Sequence, residues 1–106
     1  RLLSRIGQHE KALADCNVLI KANPLDDDGY YYRACEYAAL QKWKEAIKDY
    51  SVAIDESPES ARASYEGRAK AYEKLGQLNL AEQDRRKAMA IRGRPAEKLL
   101  FEMPKK

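Results

Sequence analysis

The chain carries one histidine, His9, and two cysteines, Cys16 and Cys35. A nucleophile and its base would have to be Cys16 and His9. Seven residues along one helix set them about 10 Å apart at a rise of about 1.5 Å per residue, beyond the hydrogen-bond reach such a pair needs. One histidine and two cysteines without C-x-x-C spacing do not supply the four ligands of a structural zinc. The five glycines stand singly, mostly at turns, so there is no Gly-rich loop to cradle a phosphate. Carboxylates cluster at Asp26-Asp27-Asp28 and at Glu56 with Glu59. These sit where helices start and end, and capping accounts for them. The sequence therefore predicts no catalytic residue, no metal site and no cofactor: a protein that is not an enzyme.

The elements that would position any binding residue are clearest in Tyr30 to Pro58. Tyr30, Ala34, Tyr37 and Ala38 form one apolar stripe, closed by Leu40; Trp43, Ala46, Ile47, Tyr50, Ala53 and Ile54 form a second. Both step by three and four residues, the spacing of a single helix face. The polar break Gln41-Lys42 divides them into a helical hairpin, with alanines where the helices cross. Asn23-Pro24 stops the preceding helix, because proline cannot continue one and biases the residue before it away from helical angles. Asp26 and Asp27 then cap the next. Ser57-Pro58 ends the second stripe, Ser60 is the expected cap of a helix reaching Leu75, and Gly76 turns the chain into a last helix from Leu78 to about Arg92. Upstream, Leu2, Leu3 and Ile6 read as the end of a first helix, with a turn at Gly7-Gln8 and a second helix from His9 to Ala22.

The hairpin repeats. Ala12 and Pro24 recur as Ala46 and Pro58 after 34 residues; Tyr30, Arg33-Ala34, Tyr37, Ala46 and Ala53 recur as Tyr65, Arg68-Ala69, Tyr72, Ala81 and Ala88 after 35. The sequence of Tyr30, Ala34, Tyr37, Ala46, Tyr50 and Pro58 resembles the tetratricopeptide repeat (TPR) family, whose period is about 34 residues. Arg33 and Arg68 depart from its pattern where leucine is expected, Cys16 and Arg85 where phenylalanine is expected, and Gly93 where the closing proline is expected. The resemblance implies an all-α fold, an α-α superhelix built as a right-handed solenoid of antiparallel helix pairs. Its units are a partial first repeat over 1–24, a second over 25–58 and a third over 59–93. Residues 94–106 follow as a capping helix and basic tail, with Pro95 opening the helix and Ala96, Leu99, Leu100 and Met103 along one face.

The resemblance further implies that the first helix of each pair lines a concave groove for an extended peptide. The candidate groove residues are Arg1 and Arg5 from the first repeat, Asp28, Tyr31, Tyr32 and Cys35 from the second, and Glu66, Lys70 and Lys74 from the third. Tyr30, Tyr31 and Tyr32 together cover roughly 200° of helix at about 100° per residue, more than one buried stripe needs. Tyr30 and Tyr37 are assigned to the core and Tyr31 and Tyr32 to the groove. Some members of the family grip a chaperone's carboxyl terminus with Lys, Asn and Arg. Here Tyr32 takes the place of that asparagine, Arg1 stands where another is expected, and Ala63 and Gly67 (or Arg62 and Glu66, if the one-residue insertion shifts the register) replace the Lys and Arg, so the clamp is read as absent.

The net charge of +3 is uneven: from Arg85 onward eight basic residues face only Glu97 and Glu102. No run approaches the roughly 20 apolar residues of a membrane span, and the cysteines read as free thiols of a reducing compartment. The functional expectation is a co-chaperone-like scaffold that binds a protein or peptide, in the cytoplasm or alternatively the nucleus, as a fragment of a longer protein. Self-association through the amino-terminal edge (Leu2, Leu3, Ile6) is the second expectation. Nucleic-acid binding by the basic carboxyl end is the weakest of the three, since no aromatic residues interleave its charges.

Overall fold

The computed structural model describes residues 2–92, with side chains over 6–91. Five helices follow one another: α1 (Leu2–Ala22), α2 (Asp27–Ala39), α3 (Trp43–Glu56), α4 (Arg62–Lys74) and α5 (Leu78–Arg92), with a single 3-10 turn, Pro58–Ser60, before α4. Helices α2 and α3 form one antiparallel pair and α4 and α5 another, while α1 packs on α2 and α3 on α4. The result is an all-α superhelical stack, 56 × 34 × 27 Å, long in one direction because each hairpin touches only its neighbours. The proposed capping residues 94–106 lie outside the described residues.

Alanines make the stack. Ala34, Ala46, Ala69 and Ala81 are fully buried at the two helix crossings, where the absence of longer side chains lets the backbones approach. Within each pair the chain reverses through the same closure. Lys42 donates its backbone N–H to Tyr37 and Gln41 to Ala38; Gln77 donates to Tyr72 and Gly76 to Glu73. This closure needs a left-handed residue just past the helix. Gly76 takes it at φ 81 without strain, whereas Gln41 takes it at φ 62 with a Cβ in the way.

Two expected boundaries differ. Gly7 occupies the repeat position of Gln41 and Gly76, yet α1 runs through it without a break. Reversal is held in the other pairs by two long helices burying their stripes on each other. Here α1 keeps its helical hydrogen bonding through Gly7, against a penalty of roughly 1 kcal/mol for a mid-helix glycine. Ser60 does not cap α4 either. It closes the 3-10 turn by a hydroxyl contact of 2.9 Å with Ser57, and the buried Ala61 stands at the cap without a side-chain bond. By contrast Asp26 caps α2 as expected, accepting the N–H of Asp28 at 3.0 Å.

Arg33 and Arg68, the departures from the family pattern, turn out to join the helices of each pair. Arg33 donates Nε and Nη2 to the two carboxylate oxygens of Asp49 at 2.6 and 2.9 Å; Arg68 does the same to Asp84 at 2.7 and 2.9 Å. The third nitrogen reaches back to the previous hairpin, to Asn17 from Arg33 and to Ser51 from Arg68. Each guanidinium also lies between the two tyrosines of its own helix, Tyr30 and Tyr37 or Tyr65 and Tyr72, 5.6 to 5.9 Å from the ring centroids. Tyr30 and Tyr37 are thus half-buried flanks of an arginine rather than a sealed core. Asp49 and Asp84 are nearly inaccessible, and among the described residues no buried side-chain nitrogen or oxygen lacks a partner.

Removing one partner of such a pair strands the other. Asp49→Ala should therefore destabilise the fold by about 3–5 kcal/mol, read as a lowered urea midpoint. The double variant Arg33→Leu/Asp49→Ala should recover most of that loss, because it restores the apolar residue of the family pattern and leaves no buried charge.

Candidate functional site

The first helices of the two complete pairs, α2 and α4, lie side by side, and their facing residues meet over Tyr50 of α3. The Tyr50 ring is buried against Tyr31, with centroids 6.0 Å apart, and its hydroxyl donates to Cys35 Sγ at 3.7 Å. On the other side it lies under Gly67 of α4. A Cβ at Gly67 would come within 2.6 Å of the Tyr50 hydroxyl, so this position admits only glycine while the ring stays in place. Tyr32, half exposed, sets its ring edge-on to Tyr31 at 5.6 Å. Glu66 is close enough for its charge to act on the Tyr31 phenol.

Of the expected groove residues, the structure brings together Tyr31, Tyr32, Cys35 and Glu66. Asp28 lies exposed one turn before the tyrosines on α2, and Lys70 and Lys74 lie exposed one and two turns beyond Glu66 on α4. None of these three makes a hydrogen bond or ion pair to the cluster among the described residues. The side chains of Arg1 and Arg5 lie outside the described residues. Sequence reasoning placed Tyr50 correctly in the core but missed that its ring forms the floor joining α2 to α4. The signal was the glycine 17 residues after it, since a glycine inside a helix usually means a close neighbour.

Other candidates are accounted for structurally. Nδ1 of His9 shares a hydrogen bond of 2.6 Å with Glu36, tying α1 to α2. Cys16 is buried as a small apolar residue, Cys35 is half-buried, and both thiols are free. Burial pushes the Cys16 thiol above its ordinary pKa, helped by the charge of Glu36, which makes it a poor nucleophile. The three carboxylates of Asp26, Asp27 and Asp28 lie close together on the surface at the start of α2, where capping explains them. In the basic run, Arg85 is paired with Glu73 and Arg86 with Glu82, both at 2.9 Å, and the Lys87 ammonium lies over the Tyr65 ring. An open cavity of about 220 Å³ at the far end of the stack is lined by Glu66, Arg85, Ala88 and Met89. These stand 35 residues after Tyr31, Tyr50, Ala53 and Ile54.

Two predictions come from the Tyr50 floor. Gly67→Ala should force the ring aside and cost roughly 1–3 kcal/mol, as overpacking does, with a rise in Tyr50 solvent exposure. The second concerns pH. Burial holds the Tyr31 phenol up at about 12, reinforced by Cys35, and burial likewise raises Tyr50. An unfolded tyrosine ionises near about 10, so the folded state keeps protons that the unfolded chain gives up. The stabilisation from these two groups is complete below about pH 10 and is lost as pH rises toward about 12. Urea midpoints should fall across that window, and less steeply in Tyr31→Phe.

Comparison with known proteins follows the same lines. Residues 27–60 match the tetratricopeptide repeat model. The mitochondrial import receptor subunit TOM70 of Rattus norvegicus is 33% identical over 76 residues, 67% of this chain but only 12% of that protein. Among solved structures, the second TPR of Spaghetti (RPAP3), bound to the HSP90 peptide SRMEEVD, superposes with a TM-score of 0.76. It is 29% identical and covers 80% of this chain and 78% of its own. MamA from Desulfovibrio magneticus RS-1 superposes with a TM-score of 0.77 at 21% identity over 89% of this chain, which spans about half of it (53%). That second likeness is one of fold alone. With its repeated hairpins, its matched 27–60 unit and these neighbours, the chain is a tetratricopeptide repeat protein.

Proposed function

We propose that this chain is a non-enzymatic scaffold that holds an extended peptide in the groove between α2 and α4. The observation that carries this is the tyrosine pair. Tyr31 is fixed from below by Tyr50, while Tyr32 stands half exposed beside it. A rigid aromatic ring at the centre of a surface is the kind of anchor that dominates binding energy. Asp28 and Glu66 on one side and Lys70 and Lys74 further along give the groove both signs of charge, with Arg1 and Arg5 extending it in the first repeat. The domain of RPAP3, similar to this one, carries an HSP90 peptide. That supports peptide capture, in a co-chaperone-like setting, as the use of this fold.

The mode differs from carboxylate capture. Gripping a terminal carboxylate takes charge-assisted donors from both faces of the groove. Here Tyr32, Ala63 and Gly67 stand at those points, and the space beside Gly67 is filled by the Tyr50 ring. The preferred peptide therefore inserts an apolar or aromatic side chain against the tyrosines and sets charges against Glu66 and Lys70. Among the described residues no helix is long and apolar enough to cross a membrane; a cytoplasmic location is part of this proposal. So is the organisation into units 1–24, 25–58 and 59–93, with 94–106 laid over the end where Glu66, Arg85, Ala88 and Met89 line the cavity.

A random peptide array probed with the chain should select sequences with one apolar or aromatic anchor. Tyr32→Ala should weaken the selected peptides by about tenfold or more and Lys70→Ala by less, with both variants melting within about 0.5 kcal/mol of the parent. Selected peptides that bind both variants as well as the parent would place the groove elsewhere. Binding of SRMEEVD as tight as that of the RPAP3 domain, measured side by side, would contradict the account of the missing clamp.

A further inference from the structure

Two carboxylates flank the tyrosine pair of the groove. Asp28 precedes it by one turn on α2, exposed at the surface, and Glu66 stands on α4, close enough for its charge to act on the Tyr31 phenol. Neither is held firmly. Asp28 forms no ion pair among the described residues. Glu66 has Arg62 at 3.4 Å, one turn away on its own helix, with the two side chains 51% and 45% exposed. Surface pairs of that kind contribute little and exchange readily. Arg85, which shares the end cavity with Glu66, gives its guanidinium to Glu73 at 2.9 Å instead. Asp26 and Asp27 add two more carboxylates at the start of α2, whereas Lys70 and Lys74 follow Glu66 by one and two turns. The groove is thus acidic where α2 and α4 begin and basic where α4 ends. Among the described residues no cation lies over the Tyr31 or Tyr32 ring.

We propose that the peptide residue set against Glu66 is an arginine next to the apolar anchor, its guanidinium lying on the Tyr32 ring and forking to the Glu66 carboxylate, with Asp28 adding negative charge from α2. This inference rests on the peptide-capture reading and names the chemistry that the groove selects. The argument is charge complementarity, and the molecule shows twice how tyrosines and a carboxylate hold a guanidinium. Arg33 lies 5.8 and 5.9 Å from the Tyr30 and Tyr37 ring centroids while both oxygens of Asp49 accept from it. Arg68 lies between Tyr65 and Tyr72 and forks onto Asp84 in the same way. A guanidinium suits such a site better than an ammonium, because it is planar, stacks on an aromatic face, is weakly hydrated and meets a carboxylate with two donors. The weak Arg62 contact is the one it displaces. The charge gradient also orients the guest, with its arginine toward the helix starts and any acidic residue toward Lys70 and Lys74.

The test uses the whole chain and short fluorescein-labelled glycine/serine peptides, each carrying one phenylalanine and one variable residue placed at successive positions before or after it. The variable residue is arginine, lysine, citrulline, serine or glutamate, and binding is read by fluorescence anisotropy at low salt. In at least one placement arginine should bind about tenfold tighter than citrulline, which keeps the shape and loses the charge, and several-fold tighter than lysine. Glu66→Gln should bring the arginine-to-citrulline ratio down to about two or less, and Tyr32→Leu should lower it as well. Tyr32→Phe, which keeps the ring, should preserve it. A ratio near one on the parent chain in every placement would overturn the arginine site, as would a ratio untouched by Glu66→Gln or lysine binding as tightly as arginine. If the phenylalanine peptides then still bind and Tyr32→Ala weakens them, peptide capture stands without the arginine. If no peptide binds in any placement, both proposals fall together.

Discussion

A buried carboxylate cannot be left alone, and this fold is arranged so that it never is. Asp49 and Asp84 sit almost out of reach of water between paired helices, where an uncompensated charge would cost several kcal/mol. The arginine fork answers both oxygens of each, and the tyrosines on either side of the guanidinium shield it while attracting its charge. The bond to Asp49 raises the pKa of Arg33, as the bond to Asp84 raises that of Arg68, so neither arginine gives up its proton. Such a pair contributes less to net stability than an apolar pair of equal volume would. What it does fix is position: a bidentate contact tolerates little sliding, so it sets how far the first helix of a pair is advanced along the second. The third arginine nitrogen carries that setting into the previous hairpin through Asn17 or Ser51.

Alanine and glycine then determine how close the layers come. With the register fixed, Ala34 over Ala46 and Ala69 over Ala81 bring the helices of each pair together. Gly67 lets α4 settle on the ring of Tyr50, which in turn supports Tyr31 from beneath. The groove is a consequence of this order. A side chain at Gly67 long enough to donate to a ligand would have to displace Tyr50, and the tyrosine pair would lose its floor. The Tyr50 floor and a long side chain at position 67 therefore exclude each other sterically.

The hairpins could be read from the sequence because helical periodicity is a local property: the stripes through Tyr30–Leu40 and Trp43–Ile54 need no knowledge of the rest of the chain. The arginine–aspartate pairs could not be read that way. Their partners stand 16 residues apart across a turn, and an arginine in place of an expected leucine looks like a defect until its acceptor is seen. Only the joint recurrence of Arg33 with Asp49 and Arg68 with Asp84 hinted at it. Gly7 misled for the opposite reason. Its local text matches that of Gly76, but reversal there depends on a neighbouring helix rather than on the glycine itself. Tyr31, Tyr32, Cys35 and Glu66 were expected on one side from helix phase together with the family resemblance, whereas the contact between Gly67 and Tyr50 required knowing how neighbouring repeats stack.

The two ends of the stack differ in a way that follows from the same repeat. At the α4–α5 end, Glu66 and Arg85 replace Tyr31 and Tyr50, and Arg85 is already satisfied by Glu73, so charged side chains meet water there beside the exposed Met89. At the α1 end the replacement did not happen. Ala12, Asp15 and Leu19 keep the character of an interior face, including a carboxylate that its counterparts never expose. A polar residue in place of Leu19 would have been the simple way to make that face a surface. Leu19 instead keeps its apolar bulk 49% exposed beside Asp15, whose two copies each hold an arginine.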